Sequence, residues 1–511
     1  MDITTQVSEF IALLLISTIV GVGVKYIKLP YTIALVIVGL IVGISRIFPE
    51  IRLTEDMIFF LILPPLLFEG AINMDLNNLR VNLKPISLLA IIGVLISVLV
   101  TGYMISTLLK LPLAIALVFG AMITPTDPVS VLATFKKLGA PKKLSTILEG
   151  ESILNDGTGI VVFSILLEMV RSGALDIAGG IMTFIFVCAG GLLVGASIGY
   201  VAYKVLSYID DHQIEITITL IIAFSTFIIA EYLHVSGVIA VVAAGLVIGN
   251  YGTYFSMSPS TRVALVTFWG FFVFIVNSIV FLLIGIDIHF DKIVEYHEAI
   301  LLAILVVLIA RAIAVYGLLS LHTLFSGKAD RIPLLWRHIT FWGGLHGTIP
   351  VALALSLSDI PYRDLIASMT FGVVLFSLVI QGLSLEFLVK RFFGKRDEKR
   401  LKYEELIGRR IALKAALAEV EKMRAEGEIP PDVAERMYHD LKTILEELSS
   451  ELSGMMSEEI EKEVWLTAWR KILYAQKSAI RDAAVRGLIG EDIAGKLMEE
   501  IDIELEKEEE V

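Results

Sequence analysis

Asp127, in AMITPTDPVSVLA, and Asp156, in GESILNDGTGIVVF, are carboxylates set inside long apolar runs. Glu69 in LPPLLFEGAIN, Glu151, Arg311 in LIARAIAVYG and His346 in FWGGLHGTIPVALAL share that situation. In a bilayer an ionisable side chain is costly unless it is paired or wetted, so each of these residues needs a partner or water. Asp127 and Asp156, with the hydroxyls of Thr126 and Ser152 and the carbonyls that an interrupted helix frees, form an oxygen set suited to a small hard cation such as Na+. The same oxygens attract protons, because a carboxylate withdrawn from water and placed beside another holds its proton more readily. A site that holds either a cation or a proton, but not both, exchanges the two across a membrane. Asp127 also reads as the N-cap of the helix that resumes after the interruption.

Helical geometry divides the carboxylates of the second motif. At about 100° per residue, Ser152, Asn155, Asp156 and Gly159 share a polar stripe about 100° wide, whereas Glu151 points about 140° away from Asp156. The two acids therefore face different neighbours. Asp156 is the candidate carrier of ion and proton. Glu151 needs a buried cation, and Arg311 is the intramembrane candidate.

The elements that position these residues follow from composition. The chain of 511 residues is 56% hydrophobic and 19% charged, with a mean hydropathy of +0.79. Those values belong to an integral membrane protein. A spanning helix needs about 20 apolar residues, and by that rule the sequence reads as an all-α polytopic protein with about thirteen spans. They are expected near 7–25, 31–47, 55–73, 85–109, 112–135, 146–170, 175–205, 214–233, 236–251, 264–288, 298–321, 336–358 and 366–391. Two of these spans are interrupted. Pro125 and Pro128 flank Thr126 and Asp127 in the fifth, and Gly343, Gly344, Gly347 and Pro350 surround His346 in the twelfth. Backbone freed in lipid is tolerated only where it lines a cavity or meets protein. Breaks in matching positions of two halves point to a transporter's midplane site. With 7–170 as one repeat, 175–205 as a linking helix and 214–391 as the other repeat, the fifth span corresponds to the twelfth. The odd offset makes the copies run in opposite directions, as inverted repeats. Glu168, Lys204 and Glu231 lie near span ends and read as surface residues.

Charge placement orients the chain. Loops on the side of the C-terminal tail hold 13 Lys and Arg, among them Lys28, Lys136, Lys137, Lys142 and Lys143, against 6 on the other side, among them Arg46 and Arg52. This bias makes the tail cytoplasmic and the N-terminus external in a multi-pass cell-membrane protein. The opening MDITTQVSEF lacks a basic leader segment, so the first apolar run reads as a retained span. The membrane part is expected over 1–392. Residues 395–511 carry 20 Lys and Arg against 29 Asp and Glu and read as a soluble helical tail. The tail is broken at EGEIPPD (426–432), at Gly454 and near Gly487 to Gly490, and it ends in ELEKEEEV. Leu441, Ile444, Leu445 and Leu448 recur at helical spacing, and Trp465 and Trp469 lie four apart. Its role is either regulatory, binding a partner or ligand, or dimerising. The acidic surplus speaks against nucleic acid as a partner. Cys188 is the single cysteine, so disulfides and Cys-based metal or redox sites are excluded. With no HExxH or cofactor motif, no enzyme activity and no cofactor are expected. A tail-gated cation channel is disfavoured, since a channel does not need paired protonatable carboxylates and no filter-like loop occurs.

Four motifs in order, LPPLLFEGAINMD (63–75), TPTDPVSV (124–131), GESILNDGTGIVVF (150–163) and WGGLHGTIPVALALSL (342–357), resemble the CPA1 cation/proton antiporters, the NhaP and NHE group. The resemblance covers residues 1 to about 392. It implies the NhaA/NhaP-like antiporter fold, a homodimer in which a dimerisation domain supports a moving six-helix transport domain, and exchange of Na+ (or Li+, in some members K+) for H+ in pH homeostasis. It assigns ion binding to Asp156 with Asp127, Thr126 and Ser152, a structural ion pair to Glu151 and Arg311, and a further family acid to Glu69. It makes Asn155 the neutral neighbour that goes with electroneutral exchange. One position departs from the pattern: His346 stands where the family usually has arginine in GGLRG. Arginine stays protonated, whereas histidine titrates near neutrality. His346 either makes activity or ion preference pH-dependent or fills the gap as a neutral ring, and the departure keeps K+ open beside Na+.

Overall fold

The computed structural model describes residues 3–27, 31–45, 57–127, 129–173, 176–209, 211–253, 257–287, 290–327, 330–357, 360–393 and 398–455, with scattered positions from 465 to 501. Lys28, Arg46, Arg52, Pro128, Gly487 and the acidic end 504–511 lie outside the described residues. The chain forms two compact units, one over residues 1–326 and 331–392 and the other over 327–330 and 393–511.

Among the described residues the first unit contains helices and no strands, and each expected span contains helix. In chain order it contains α1 (Ile3–Ile27), α2 (Tyr31–Ser45), α3 (Leu63–Asn73), α4 (Leu83–Leu109), α5 (Leu113–Ile123), α6 (Val129–Leu138), α7 (Lys142–Ser172) and α8 (Ile177–Leu206). There follow α9 (His212–Tyr232), α10 (Gly237–Gly252), α11 (Pro259–Asp287), α12 (His297–Phe325), α13 (Leu334–Trp342), α14 (Thr348–Ser356) and α15 (Arg363–Phe393). Among the described residues, eight helices are long and apolar enough to cross a bilayer alone: α1, α4, α7, α8, α9, α11, α12 and α15. The fifth and twelfth expected spans are each two short helices, α5 with α6 and α13 with α14.

Wide turns of π-helix, which the apolar pattern does not foretell, interrupt two longer helices at Leu88–Gly93 and Ser377–Gln381, a third, Ile248–Gly252, ends α10, and a fourth, Met57–Ile62, leads into α3. Such turns re-aim side chains locally and recur at functional sites. Large apolar side chains such as Ile19, Phe186 and Leu193 face outward, as lipid contact requires. Phe68, Phe119, Trp269 and Phe281 fill the interior, with Phe68 and Trp269 in ring contact at 4.8 Å.

Between helices in a bilayer there is little hydrophobic drive, so packing depends on close backbone approach. The α8–α10 contact obeys this. Gly191, Gly195 and Gly199, spaced by four, lie against Ser236, Ala240 and Ala244, and a side chain at Gly195 would press into the Ala240 backbone. In the second unit, α16 (Glu398–Ala425) and α17 (Pro431–Gly454) pack through Tyr403 and Leu406 against Leu448 and Leu452, with Lys402 and Glu451 paired at 2.7 Å. Of the four apolar positions noted in α17, Leu448 is buried and Ile444 is 50% exposed. Trp465 and Trp469 stack at 5.6 Å.

Replacing Gly195 with Val overpacks the α8–α10 contact and is expected to cost about 1–3 kcal/mol. Gly270, with nothing near its missing side chain, accepts Ala without that loss. Thermal unfolding of both variants in detergent checks the contrast.

Candidate functional site

The interruptions between α5 and α6 and between α13 and α14 meet. The Asp127 N–H donates to the Leu345 carbonyl at 2.6 Å, and any side chain at Gly347 would press on Asp127. Proline and glycine end the helices here because Pro125 lacks an N–H and Gly343 to Gly347 carry little to hold a helical turn. The backbone groups so freed find partners on neighbouring helices.

At the first break the partners come from α7. The Asn155 side chain accepts from the Thr126 N–H at 3.4 Å and donates through Nδ2 to Thr126 Oγ1 at 2.8 Å. Ser152 Oγ donates to the Thr126 carbonyl in a short hydrogen bond. At the second break they come from α12 and α15. Arg311 Nη2 donates to the Thr340 carbonyl at 3.1 Å, and Gln381 Nε2 to the Trp342 carbonyl at 3.4 Å. Ser377 Oγ accepts from the His346 N–H at 2.8 Å. Ser377 and Gln381 are the two ends of the π turn in α15, so that turn supplies the second break.

A cavity of about 280 Å³ opens onto the first break. Its polar lining is Glu69 and Asn73 from α3, Thr126 and Asp127 from the break, Glu149, Ser152 and Asp156 from α7, Asn277 from α11 and Thr348 from α14. Asn73 Nδ2 donates to Glu69 Oε1 at 2.9 Å. Asp156 Oδ1 is buried and has no hydrogen-bond partner among the described residues. Four acids, Glu69, Asp127, Glu149 and Asp156, line this one cavity, and like charges gathered in one cavity repel one another. A proton or a cation relieves that repulsion equally well, so the chemistry available here is competition between the two. Ser152 and Thr126 keep oxygen lone pairs for a cation while holding the break. Among the described residues no three His, Cys, Asp or Glu gather closely enough to hold a metal ion.

Asp156, Asp127, Thr126, Ser152 and Glu69 therefore share one cavity. Asn155, Glu151, Arg311 and His346 do not line it. Asn155 is 1% exposed and commits its amide to Thr126, so it sits beside Asp156 in sequence but faces the break. Glu151, 2% exposed, accepts from Arg311 Nη1 at 2.6 Å. The Arg311 guanidinium lies against Gly344, where a side chain would collide with it. His346 is buried, and its Nδ1 has no partner among the described residues. Asn73, Glu149, Asn277 and Thr348 join the site only in the folded chain. Glu149 had a signal: it precedes Ser152 by three and Asp156 by seven, which is one helix face.

Residues 11–391 match the family described as "Sodium/hydrogen exchanger, transmembrane". The chain belongs to the sodium/hydrogen exchanger family. It is similar to the Na(+)/H(+) antiporter NhaG of Bacillus atrophaeus, 36% identical over 488 residues that cover 92% of this chain and 91% of that protein. It is also similar to the low-affinity Na(+)/H(+) antiporter NhaS1 of Synechocystis sp., 38% identical over 441 residues, 84% of each chain. Its fold is like that of the sodium proton antiporter MjNhaP1 of Methanocaldococcus jannaschii, with a TM-score of 0.67 at 22% identity over 77% of this chain and 100% of that one. The CPA1 resemblance and the expected fold class thus stand, and the family is one of transporters, not enzymes. In this exchanger the family match ends two residues before α15 does, so α16 and α17 lie beyond it.

Removing the cation from the Glu151–Arg311 pair strands a buried carboxylate. Arg311→Ala is expected to destabilise the exchanger by about 3–5 kcal/mol, and pairing it with Glu151→Gln recovers part of the loss. Thermal unfolding of the single and double variants measures both.

Proposed function

We propose that this exchanger is a secondary antiporter that moves Na+ against H+, with Li+ as an alternative cargo, by alternating access of Asp156. One observation carries the reading: Asp156 lines a polar cavity at the crossing of two broken helices and has a buried carboxylate oxygen with no hydrogen-bond partner among the described residues. The relatives' names as Na(+)/H(+) antiporters support Na+ as the cargo, and nothing in the cavity favours K+. Cation and proton take turns on Asp156, with Asp127, Thr126 and Ser152 supplying further oxygens and Glu69 as the pH-sensing or charge-compensating acid of the same cavity. Asn155 is neutral and its amide is spent on Thr126, so we read the exchange as electroneutral.

In this reading residues 1–392 are the transport part, with inverted repeats over about 7–170 and 214–391 joined by the helix at 175–205. Residues 395–511 are a cytoplasmic tail that regulates or dimerises, the N-terminus is external, and the working unit in the cell membrane is a homodimer. The loop charge bias supports the orientation. His346 belongs with the residues that hold the second break: its ring does not line the cavity, and its N–H is tied to Ser377.

Two measurements in proteoliposomes test these statements. Na+ and Li+ uptake driven by an outward proton gradient is expected in the wild type and is expected to fall to the level of protein-free vesicles in Asp156→Asn. Uptake that persists in the variant, or that needs no proton gradient, sinks the mechanism. For His346→Arg, pH–activity profiles that overlay the wild type are expected, and a displaced profile makes His346 a pH sensor.

A further inference from the structure

The cavity that holds Asp156 contains one acid that neither the family motif nor the proposed exchange cycle employs. Glu149 stands on the same face of α7, three residues before Ser152 and seven before Asp156, and all three side chains line the cavity. At about 1.5 Å per residue, Glu149 lies about 10 Å from Asp156 along the helix and about 10 Å from the helix start at Lys142. It therefore sits midway between the end of α7 and the ion site, and it is half-buried where Glu151 on the opposite face is buried. Glu69 lines the same cavity from α3. Asn73 Nδ2 donates to Glu69.

We propose that Glu149 is the loading carboxylate of the exchanger, the group that draws a hydrated cation into the cavity and sets its apparent affinity before transfer to Asp156. The proposal rests on the antiport reading above. Acid groups on both walls of a narrow cavity focus the field and raise the local cation concentration. A unit charge about 10 Å from a bound cation changes its occupancy about 2-fold in water-like surroundings and about 15-fold at an effective dielectric of about 20. The effect is one of attraction at a distance, so it needs the charge and not the shape of the side chain, and dissolved salt screens it.

The test is the kinetics of Na+ uptake into proteoliposomes at alkaline pH, at low and at high choline chloride, for wild type, Glu149→Gln and Glu149→Asp. Glu149→Gln is expected to raise the KM for Na+ about 2- to 15-fold at low salt, with most of the change in KM and not in maximal rate. That rise shrinks at high choline chloride, and Glu149→Asp stays near wild type. A KM for Glu149→Gln equal to that of wild type at both salt concentrations overturns the proposal and leaves the antiport reading intact. So does a fall in maximal rate alone, or a defect that Glu149→Asp shares. If wild type shows no proton-coupled Na+ uptake, the antiport reading fails first and takes this proposal with it. Should Glu149→Gln misfold, Na+-induced protection of detergent-solubilised Glu149→Asp and wild type against thermal unfolding replaces the comparison. Equal half-protecting Na+ concentrations are then expected, and a weaker Glu149→Asp overturns the proposal.

Discussion

Backbone polar groups cannot be left unpaired inside a bilayer, and the architecture around the proposed ion site is arranged by that constraint. Two helices stop in mid-membrane, and the stops are placed where each can serve the other, through the Asp127 N–H and the Leu345 carbonyl. The remaining groups are met by side chains from three further helices: Asn155 and Ser152 from α7, Arg311 from α12, and Ser377 and Gln381 from α15. The same constraint explains why a carboxylate survives there. Oxygens and N–H groups already gathered to satisfy the breaks make the crossing polar enough to admit water, and water makes Asp156 tolerable.

Three faces of α7 then carry three separate tasks. Glu151 points to Arg311 and so fastens α7 to α12 and, through Thr340, to α13. Asn155 points to the first break. Glu149, Ser152 and Asp156 point to the cavity. A helix that must do all three can bury its charges only by giving each its own partner. Asp156, which lines the cavity, keeps a buried carboxylate oxygen with no hydrogen-bond partner among the described residues.

This division explains which parts of the site the sequence makes legible. Apolar run length suffices to locate the membrane helices, since a bilayer leaves few alternatives to helix. Wheel arithmetic separates Glu151 from Asp156, because helical phase depends on spacing alone. The same arithmetic reaches Glu149, which precedes Asp156 by seven residues. Asn155 is harder: adjacency to Asp156 hides the 100° turn that sends its amide to Thr126. The π turn at Ser377–Gln381 leaves no trace in an apolar pattern, and its role becomes apparent only once the second break is seen packed against it. Asn277 and Thr348 reach the cavity through the tertiary path of α11 and α14, which local sequence does not encode.

The kinds of contact differ across the molecule in a way that bears on movement. Around the ion site, α7, α12, α13 and α15 and the two breaks are joined by directional hydrogen bonds and an ion pair, which fix distance and angle together. Where α7 meets α3 and α10 the contacts are apolar and small, with Ile153 against Gly70 and Ile239 against Gly157. Apolar contact between a branched side chain and a glycine resists sliding far less than a bidentate amide does, because dispersion is individually weak and has no preferred angle. In the exchange cycle proposed above, a shift that exposes Asp156 to the other side of the membrane meets least resistance if the hydrogen-bonded set moves as a body. The α3 and α11 walls, with Glu69 and Asn277, are then left behind. Such a shift changes which oxygens surround the cargo without breaking the bonds that keep the interrupted helices soluble in the bilayer.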